Sequence, residues 1–251
     1  MNTNIKIQIM KFKFMYLIGL AVAAMPLLQS CSSDDDPLQN SYTAVVTVVP
    51  MSDNGFELNL TNTEKLIPSN LKTSPFKNKE VRALVNFRYD DETEKSTSRN
   101  VTINWIDSIR TKMPVVSAGE NNDEKFGNDP IEIVKDWVTI AEDGYLTLRI
   151  RTKWGTPSAK HEVNLVSNVN PENPYEFELR HNANGDTYGE LGDALIAFNL
   201  NGLPKPEESP IKIKINWTSF SGSKSTEFDL TLREDKSDAN YTGITYSNRV
   251  Q

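Results

Sequence analysis

VRALVNFRY, residues 81–89, sets the fold class of this 251-residue chain. Val81, Ala83, Val85, Phe87 and Tyr89 fall on one face and Arg82, Asn86 and Arg88 on the other, a period of two that belongs to a β-strand and not a helix. One apolar and one wetted face imply an antiparallel sheet closing over a single core. Upstream, 41–50 is β-branched and ends at Pro50. Asn54-Gly55 supplies the positive φ angles of a hairpin turn, 56–60 returns, and 64–67 forms a short third strand before Pro68. Residues 68–79 carry Pro68 and Pro75 and read as a loop. Downstream, a polar turn leads to Val101, Ile103 and Trp105 on a strand ending near Ile109. Five short strands in so few residues suit a small closed barrel over 41–112, whose curvature removes the strand edges.

The same alternation runs through the second half. Residues 113–128 are polar and glycine-bearing, with one helical turn around 120–125, and read as the connection between domains. Seven strands follow within 129–235, at 131–140, 145–154, 160–166, 175–181, 194–200, 211–217 and 226–232. Ile211, Ile213, Ile215 and Trp217 oppose Lys212, Lys214 and Asn216, a pattern that predicts a seven-stranded antiparallel β-sandwich. The phase slips near Lys135-Asp136, which suggests a bulge. The fold expected is therefore all-β: an OB-like five-stranded barrel followed by a sandwich, with residues 236–251 as a tail.

The front end speaks of location. Lys6, Lys11 and Lys13 precede an uncharged apolar run from residue 14 to 28, a signal peptide too short to span a bilayer. Leu28-Gln29-Ser30-Cys31 resembles a bacterial lipobox, so residues 1–30 are expected to be cleaved and Cys31 to carry the lipid. Two or three acyl chains, each buried methylene contributing roughly 0.8 kcal/mol, would make that attachment effectively permanent. Ser32-Ser33-Asp34-Asp35-Asp36 opens an acidic tether over 31–40. It is similar to the export signal of Bacteroidota lipoproteins, which implies an outer-membrane protein facing the exterior. With its only cysteine acylated, the chain has no disulfide available.

Removing residues 1–30 takes away three lysines and no acids, so the formal charge moves from −7 to −10. So acidic a chain repels phosphate, and no nucleic-acid partner is expected. The expected partners are the membrane, through the lipid, and a protein or glycan that the sequence does not name; it is equally silent on oligomeric state.

Several stretches together resemble a known family. They are the lipoprotein signal, Thr43-Ala-Val-Val-Thr-Val-Val-Pro50, Lys65-Leu-Ile-Pro68, Val81-Arg-Ala-Leu-Val-Asn-Phe87 and Asn104-Trp105-Ile106, then Gly127-Asn-Asp-Pro130, Asp136-Trp137 and Phe177-Glu-Leu-Arg-His-Asn182. In order and spacing, over about residues 31 to 233, they look like a NigD-like protein. The resemblance implies an N-terminal OB-type barrel joined to a C-terminal β-sandwich. The family takes its name from a bacteriocin gene cluster and implies no reaction.

Candidate sites are few. His161 is in phase with Val163 and Leu165, and His181 with Phe177 and Leu179, so both are expected to point inward onto backbone partners. No metal site is expected, because no further ligands stand at matched spacing. Asn182-Ala-Asn-Gly-Asp186 has the oxygen ligands of a calcium loop without its bidentate acid, and reads better as a hairpin turn. Gly-x-Ser-x-Gly, His-Glu-x-x-His and a phosphate-cradling loop are all missing, so no catalytic residue, cofactor or enzymatic activity is expected. Trp154, beside the turn Gly155-Thr156-Pro157, either caps the sandwich or contacts a sugar or protein ligand. Asp107-Ser108-Ile109 matches a short Bacteroidota O-glycosylation pattern at Ser108. Three roles follow: a non-catalytic binding or structural module on the cell surface, a bacteriocin accessory or immunity lipoprotein, and a glycan-binding accessory protein.

Overall fold

A computed structural model describes residues 40–233 apart from Asp53 and Pro206. The expected leader, Cys31, nearly all of the acidic tether and the tail at 236–251 lie outside the described residues. The barrel consists of β1 (Tyr42–Pro50), β2 (Phe56–Asn59), β3 (Lys65–Pro68), β4 (Val81–Tyr89) and β5 (Ser98–Ser108), closed in the order β1-β2-β3-β5-β4. The β1–β2 connection turns at Asn54, φ 65°, and Met51 N–H donates to the Gly55 carbonyl. Closure needs one parallel pairing, β3 with β5. Beyond β3 the loop at 69–80 imitates a further strand. Asn70 Nδ2 donates to the Ile103 carbonyl at 2.9 Å, and its Oδ1 accepts from Ile103 N–H. Leu71 and Phe76 pack against the barrel core of Val46, Val48, Leu58, Leu66, Val85 and Phe87. Each such buried side chain contributes about 1.5–3 kcal/mol.

Between β4 and β5 the register shifts: Asn86 faces Trp105 while Phe87 faces Ile103, leaving Asn104 as a bulge. The slip reverses the phase beyond Ile103. Ile106 packs on the barrel core, and Trp105, in phase with Val101 and Ile103 by sequence, turns outward.

The chain does not cross to the sandwich through a free linker. Residues 110–112, expected in the barrel, form β6 (Arg110–Lys112), a parallel neighbour of β13 (Glu190–Asn199). Residues 115 and 116, expected in the linker, form β7 (Val115–Val116), parallel to β11 (Glu162–Ser167) in the opposite sheet. The connection thus adds an edge strand to each sheet, which shields edges that would otherwise be open. A 3₁₀ turn (Gly119–Asn121) and α1 (Asn122–Phe126) follow, where the helical turn was expected.

All seven expected sandwich strands are present, the first in two pieces. At the predicted phase slip it divides into β8 (Glu132–Val134) and β9 (Ile140–Glu142), both paired with β10 (Tyr145–Trp154). One sheet runs β6-β13-β10-β8, with β9 also on β10; the other runs β15 (Gly222–Leu230), β14 (Ile211–Ser219), β12 (Glu176–Asn182), β11, β7. β12 and β14 are parallel, so the sandwich is not purely antiparallel. Alternation reports which face a side chain takes, not the direction of the neighbouring strand. The inner faces meet in one core that includes Leu148, Ile150, Leu165, Phe177, Ile196, Phe198, Ile213 and Ile215.

β9 and β10 are joined by Asp143-Gly144, φ 54° and 72°, a tight hairpin turn that needs positive φ at both positions. A β-carbon on Gly144 would stand 1.8 Å from Asn201 Oδ1. Gly144→Ala should therefore lower stability by more than about 1 kcal/mol, read as a drop in the urea midpoint at unchanged slope.

Candidate functional site

Two buried polar centres dominate the described residues. The first closes the end of the sandwich, where β10, β11 and β12 meet the loop before β13. His161 and His181 point inward as expected and are almost wholly out of water. Their partners differ from the expectation, because mainly they meet each other. His161 Nδ1 lies 2.8 Å from His181 Nε2, His161 Nε2 lies 3.1 Å from Asp186 Oδ2, and His181 Nδ1 lies 3.3 Å from the Pro130 carbonyl. Asp186 also accepts from the N–H groups of Gly155 and Thr156; burial alone would raise its carboxyl, but the bond from His161 and then these main-chain bonds outweigh it and hold the carboxyl below the usual range.

The ring nitrogens form one relay, running from Asp186 to His161 Nε2, from His161 Nδ1 to His181 Nε2, and from His181 Nδ1 to the Pro130 carbonyl, so every nitrogen of the pair has a partner. Burial, and then the neighbouring His161, push His181 down to about 4. Trp154 lies over the pair, its ring centroid 4.2 Å from that of His161 and its indole N–H donating to the Gly192 carbonyl at 2.9 Å. Trp154 is thus the cap of the sandwich, with its ring engaged on both sides.

Asn184 and Gly185 have positive φ, and the Asp186 N–H donates to the Ala183 carbonyl, so residues 182–186 form a tight turn. It is not a hairpin: it carries the chain from β12 in one sheet to β13 in the other, and Asp186 is drawn inward by His161.

The second centre joins barrel and sandwich. Arg82 on β4 is fully buried. Its Nη1 donates to Thr47 Oγ1 at 2.9 Å, its Nε reaches Thr147 Oγ1 at 3.3 Å, and Nη2 has no hydrogen-bond partner among the described residues. Desolvation brings its pKa down to about 10, opposed chiefly by Asp143 and Glu142. Beside it, Arg233 holds Asp143 through two bonds of 2.7 and 2.6 Å and Glu80 at 2.8 Å. The Tyr145 hydroxyl donates to Glu80, and both guanidinium groups lie over the Tyr145 ring at 5.6 and 5.4 Å. Asn59 Nδ2 of the barrel also donates to Asp143. An apolar patch of Val45, Ile109, Val138 and Ala197 completes the seam.

Ser108 is the last residue of β5, half-buried and paired with Ala83, and is brought near neither centre by any bond. A shallow polar groove of about 420 Å³ crosses the outer face of the second sheet, where Glu178, Arg180 and Asp123 are mutually paired. No cluster of three or more His, Cys, Asp or Glu fit to hold a metal occurs among the described residues. Sequence reasoning singled out Trp154 and passed over Trp105 and Trp137, which are 40% and 58% exposed. The consecutive apolar pair Trp105-Ile106, which breaks the alternation, was the available signal.

Two predictions follow from these centres. Unfolded, His181 binds a proton near 6.5; folded, only near 4, so stability falls as pH drops between those values, by at most about 3 kcal/mol. Denaturation midpoints from pH 7 to pH 4 should show this slope, and His181→Gln, which keeps an acceptor for His161, should flatten it. At the seam, Arg233→Met strands two carboxylates and should cost about 3 kcal/mol or more, whereas Arg82→Met removes a charge bonded only to hydroxyls and should cost about 1 kcal/mol or less. Urea titration of both variants checks the contrast.

Comparison with known proteins gives a consistent picture. Residues 45–109 match the NigD-like N-terminal OB domain and residues 114–230 the NigD-like C-terminal beta sandwich domain. A solved protein of Parabacteroides distasonis, described as toxin-related, is 31% identical with a TM-score of 0.62 over 76% of this chain and 93% of its own. A NigD-like immunity protein from Bacteroides caccae is 21% identical, TM-score 0.53, over 75% and 92%. A protein from Bacteroides fragilis described as a lipoprotein is 14% identical, TM-score 0.56, over 77% and 100%. These last two share the fold. Among curated proteins none matches the sequence.

Proposed function

We propose a role that starts from one premise: the chain belongs to the NigD-like family. On that premise we read it as a lipid-anchored, non-catalytic binding or structural module, attached to the outer membrane through Cys31 and facing the exterior. The observation that carries the non-catalytic part is the engagement of its buried ionisable groups. Asp186, His161 and His181 close on one another and on main-chain groups, so these three groups are engaged with each other. Arg233, Glu80 and Asp143 tie barrel to sandwich. What supports the anchor is chain order: three lysines, an apolar run, the lipobox-like Leu28-Gln29-Ser30-Cys31, then three aspartates. The description of the Bacteroides fragilis relative as a lipoprotein agrees with it.

A second reading, an accessory or immunity role towards a secreted bacteriocin, is favoured by the descriptions of the Bacteroides caccae and Parabacteroides distasonis relatives. A deletion strain as resistant to bacteriocin as its parent would remove it. The anchor is tested in the native cell. Wild-type protein should sediment with membranes, incorporate an alkyne-tagged fatty acid and be cleaved by proteinase K added to intact cells. Cys31→Ala should lose the label and leave the membrane fraction. Protease protection in intact cells would place the protein on the periplasmic side.

A further inference from the structure

The four tryptophans divide into two kinds. Trp154 and Trp217 are built into the sandwich, while Trp105 and Trp137 face water. Trp105 is outward by construction. Strict alternation after Val101 and Ile103 would place it in the barrel core, but the bulge at Asn104 gives that position to Ile106. A bulge gives up a ladder pairing and re-aims a side chain. Here it directs into solvent an indole that would bury roughly 150–250 Å² if packed.

The row beside Trp105 on the outer barrel face is polar and pre-ordered. Asn104 Nδ2 donates to Asn86 Oδ1 at 2.7 Å, and Asn86 Nδ2 donates to Thr43 Oγ1 at 2.9 Å. These bonds fix the amides and leave Asn104 Oδ1 without a protein partner among the described residues. The exposed Asp107 carboxylate is likewise unpartnered among them. One row along the same strands, Leu84 pairs with both Val45 and Asp107, and Val45 and Leu84 pack with Val138 in the seam. Val138 is the chain neighbour of Trp137. The exposed Trp137 is therefore one residue from the seam on the sandwich side, and Asp107, two residues beyond Trp105, is one pairing from it on the barrel side.

A flat aromatic face beside fixed amide and carboxylate acceptors suits the C–H face of a sugar ring with its hydroxyls donating sideways. The acidic chain argues against phosphates and anionic bilayers as occupants. We propose that the rim of the seam between barrel and sandwich binds a neutral carbohydrate, stacked on Trp105, with hydroxyls donating to Asp107 and Asn104 and with Trp137 approaching from the sandwich side. This rests on the reading of the chain as a binding module and is independent of its anchor.

The test is isothermal titration calorimetry on the purified full chain in detergent, with maltohexaose, xylohexaose and mannohexaose as probes. At least one should bind with Kd in roughly the micromolar to millimolar range. Trp105→Ala should weaken it about tenfold or more, while Phe220→Ala, an exposed aromatic at the β14–β15 turn, should leave it unchanged. Thermal unfolding of Trp105→Ala checks that the fold is intact; its side chain leaves no core cavity. Binding to none of the three overturns the proposal. Trp105-dependent binding only to phosphatidylethanolamine–phosphatidylglycerol vesicles also overturns it, in favour of bilayer contact. Sugar binding that Trp105→Ala does not weaken retires this site while keeping the module reading, and loss of Cys31-dependent anchoring affects neither result.

Discussion

Arg233 lies just past the last strand, yet its guanidinium grips Asp143 in the β9–β10 turn and Glu80 at the mouth of β4. Glu80 is 153 residues away in sequence. Around it, Tyr145, Asn59 and the fully buried Arg82 fill the space between barrel and sandwich with polar groups that are mostly satisfied. Arg233 pairs directly with both Asp143 and Glu80, so those two carboxylates leave water with a bonded cation beside them. A purely apolar seam of that area would be as stable or more so, because desolvating ions is costly. What the ionic clamp adds is geometry: donors and acceptors meet in one arrangement only, and the two domains form one compact unit.

That covered seam explains two oddities of the sequence. In β1, Val45, Val46, Thr47 and Val48 are all buried, and in β10 so are Tyr145, Leu146, Thr147 and Leu148. Both strands have a core on one side and the partner domain on the other, so both of their faces are covered over these residues. Arg82, on the polar face of the stretch that announces the fold, is buried for the same reason, while Asn86 is covered by its barrel neighbours Thr43 and Asn104.

The barrel was legible because its strands are separated by turn residues whose conformations follow from local chemistry, as at Asn54-Gly55. Both histidines were legible as inward from their phase with Val163 and Leu179. Their pairing was not, since β11 and β12 become neighbours only in the folded sheet and Asp186 arrives from the far side of a turn. Nor were β6 and β7, whose two or three residues carry no pattern of their own and are strands only because an open edge lies beside them. Periodicity reports faces; it does not report who covers them. The bulge at Asn104 sits between these cases, visible as the consecutive apolar pair Trp105-Ile106 but interpretable only once Ile106 is found packed on the core.

Rigidity at the seam also bears on recognition. A ligand contacted by side chains from two domains must order both unless something has ordered them already, and that ordering subtracts directly from affinity. Here the amides beside Trp105 are held by side-chain bonds, and the loop that carries Trp137 is pinned at both ends. Asp136 Oδ1 accepts from Val138 N–H, the Thr139 hydroxyl donates to the Val134 carbonyl and accepts from Arg149 N–H, and Arg149 returns to Asp136 at 2.7 Å. The segment that interrupts the first sandwich strand is thus tied by side-chain bonds to β8 and β10 on either side. A loop closed in this way, ending in a residue buried in the seam and presenting its one indole outward, is poorly explained as a mere connection between β8 and β9. Its shape follows if the clamp around Arg233 and the loop around Asp136 serve one end: to hold surfaces from two folds at a fixed spacing before any partner arrives.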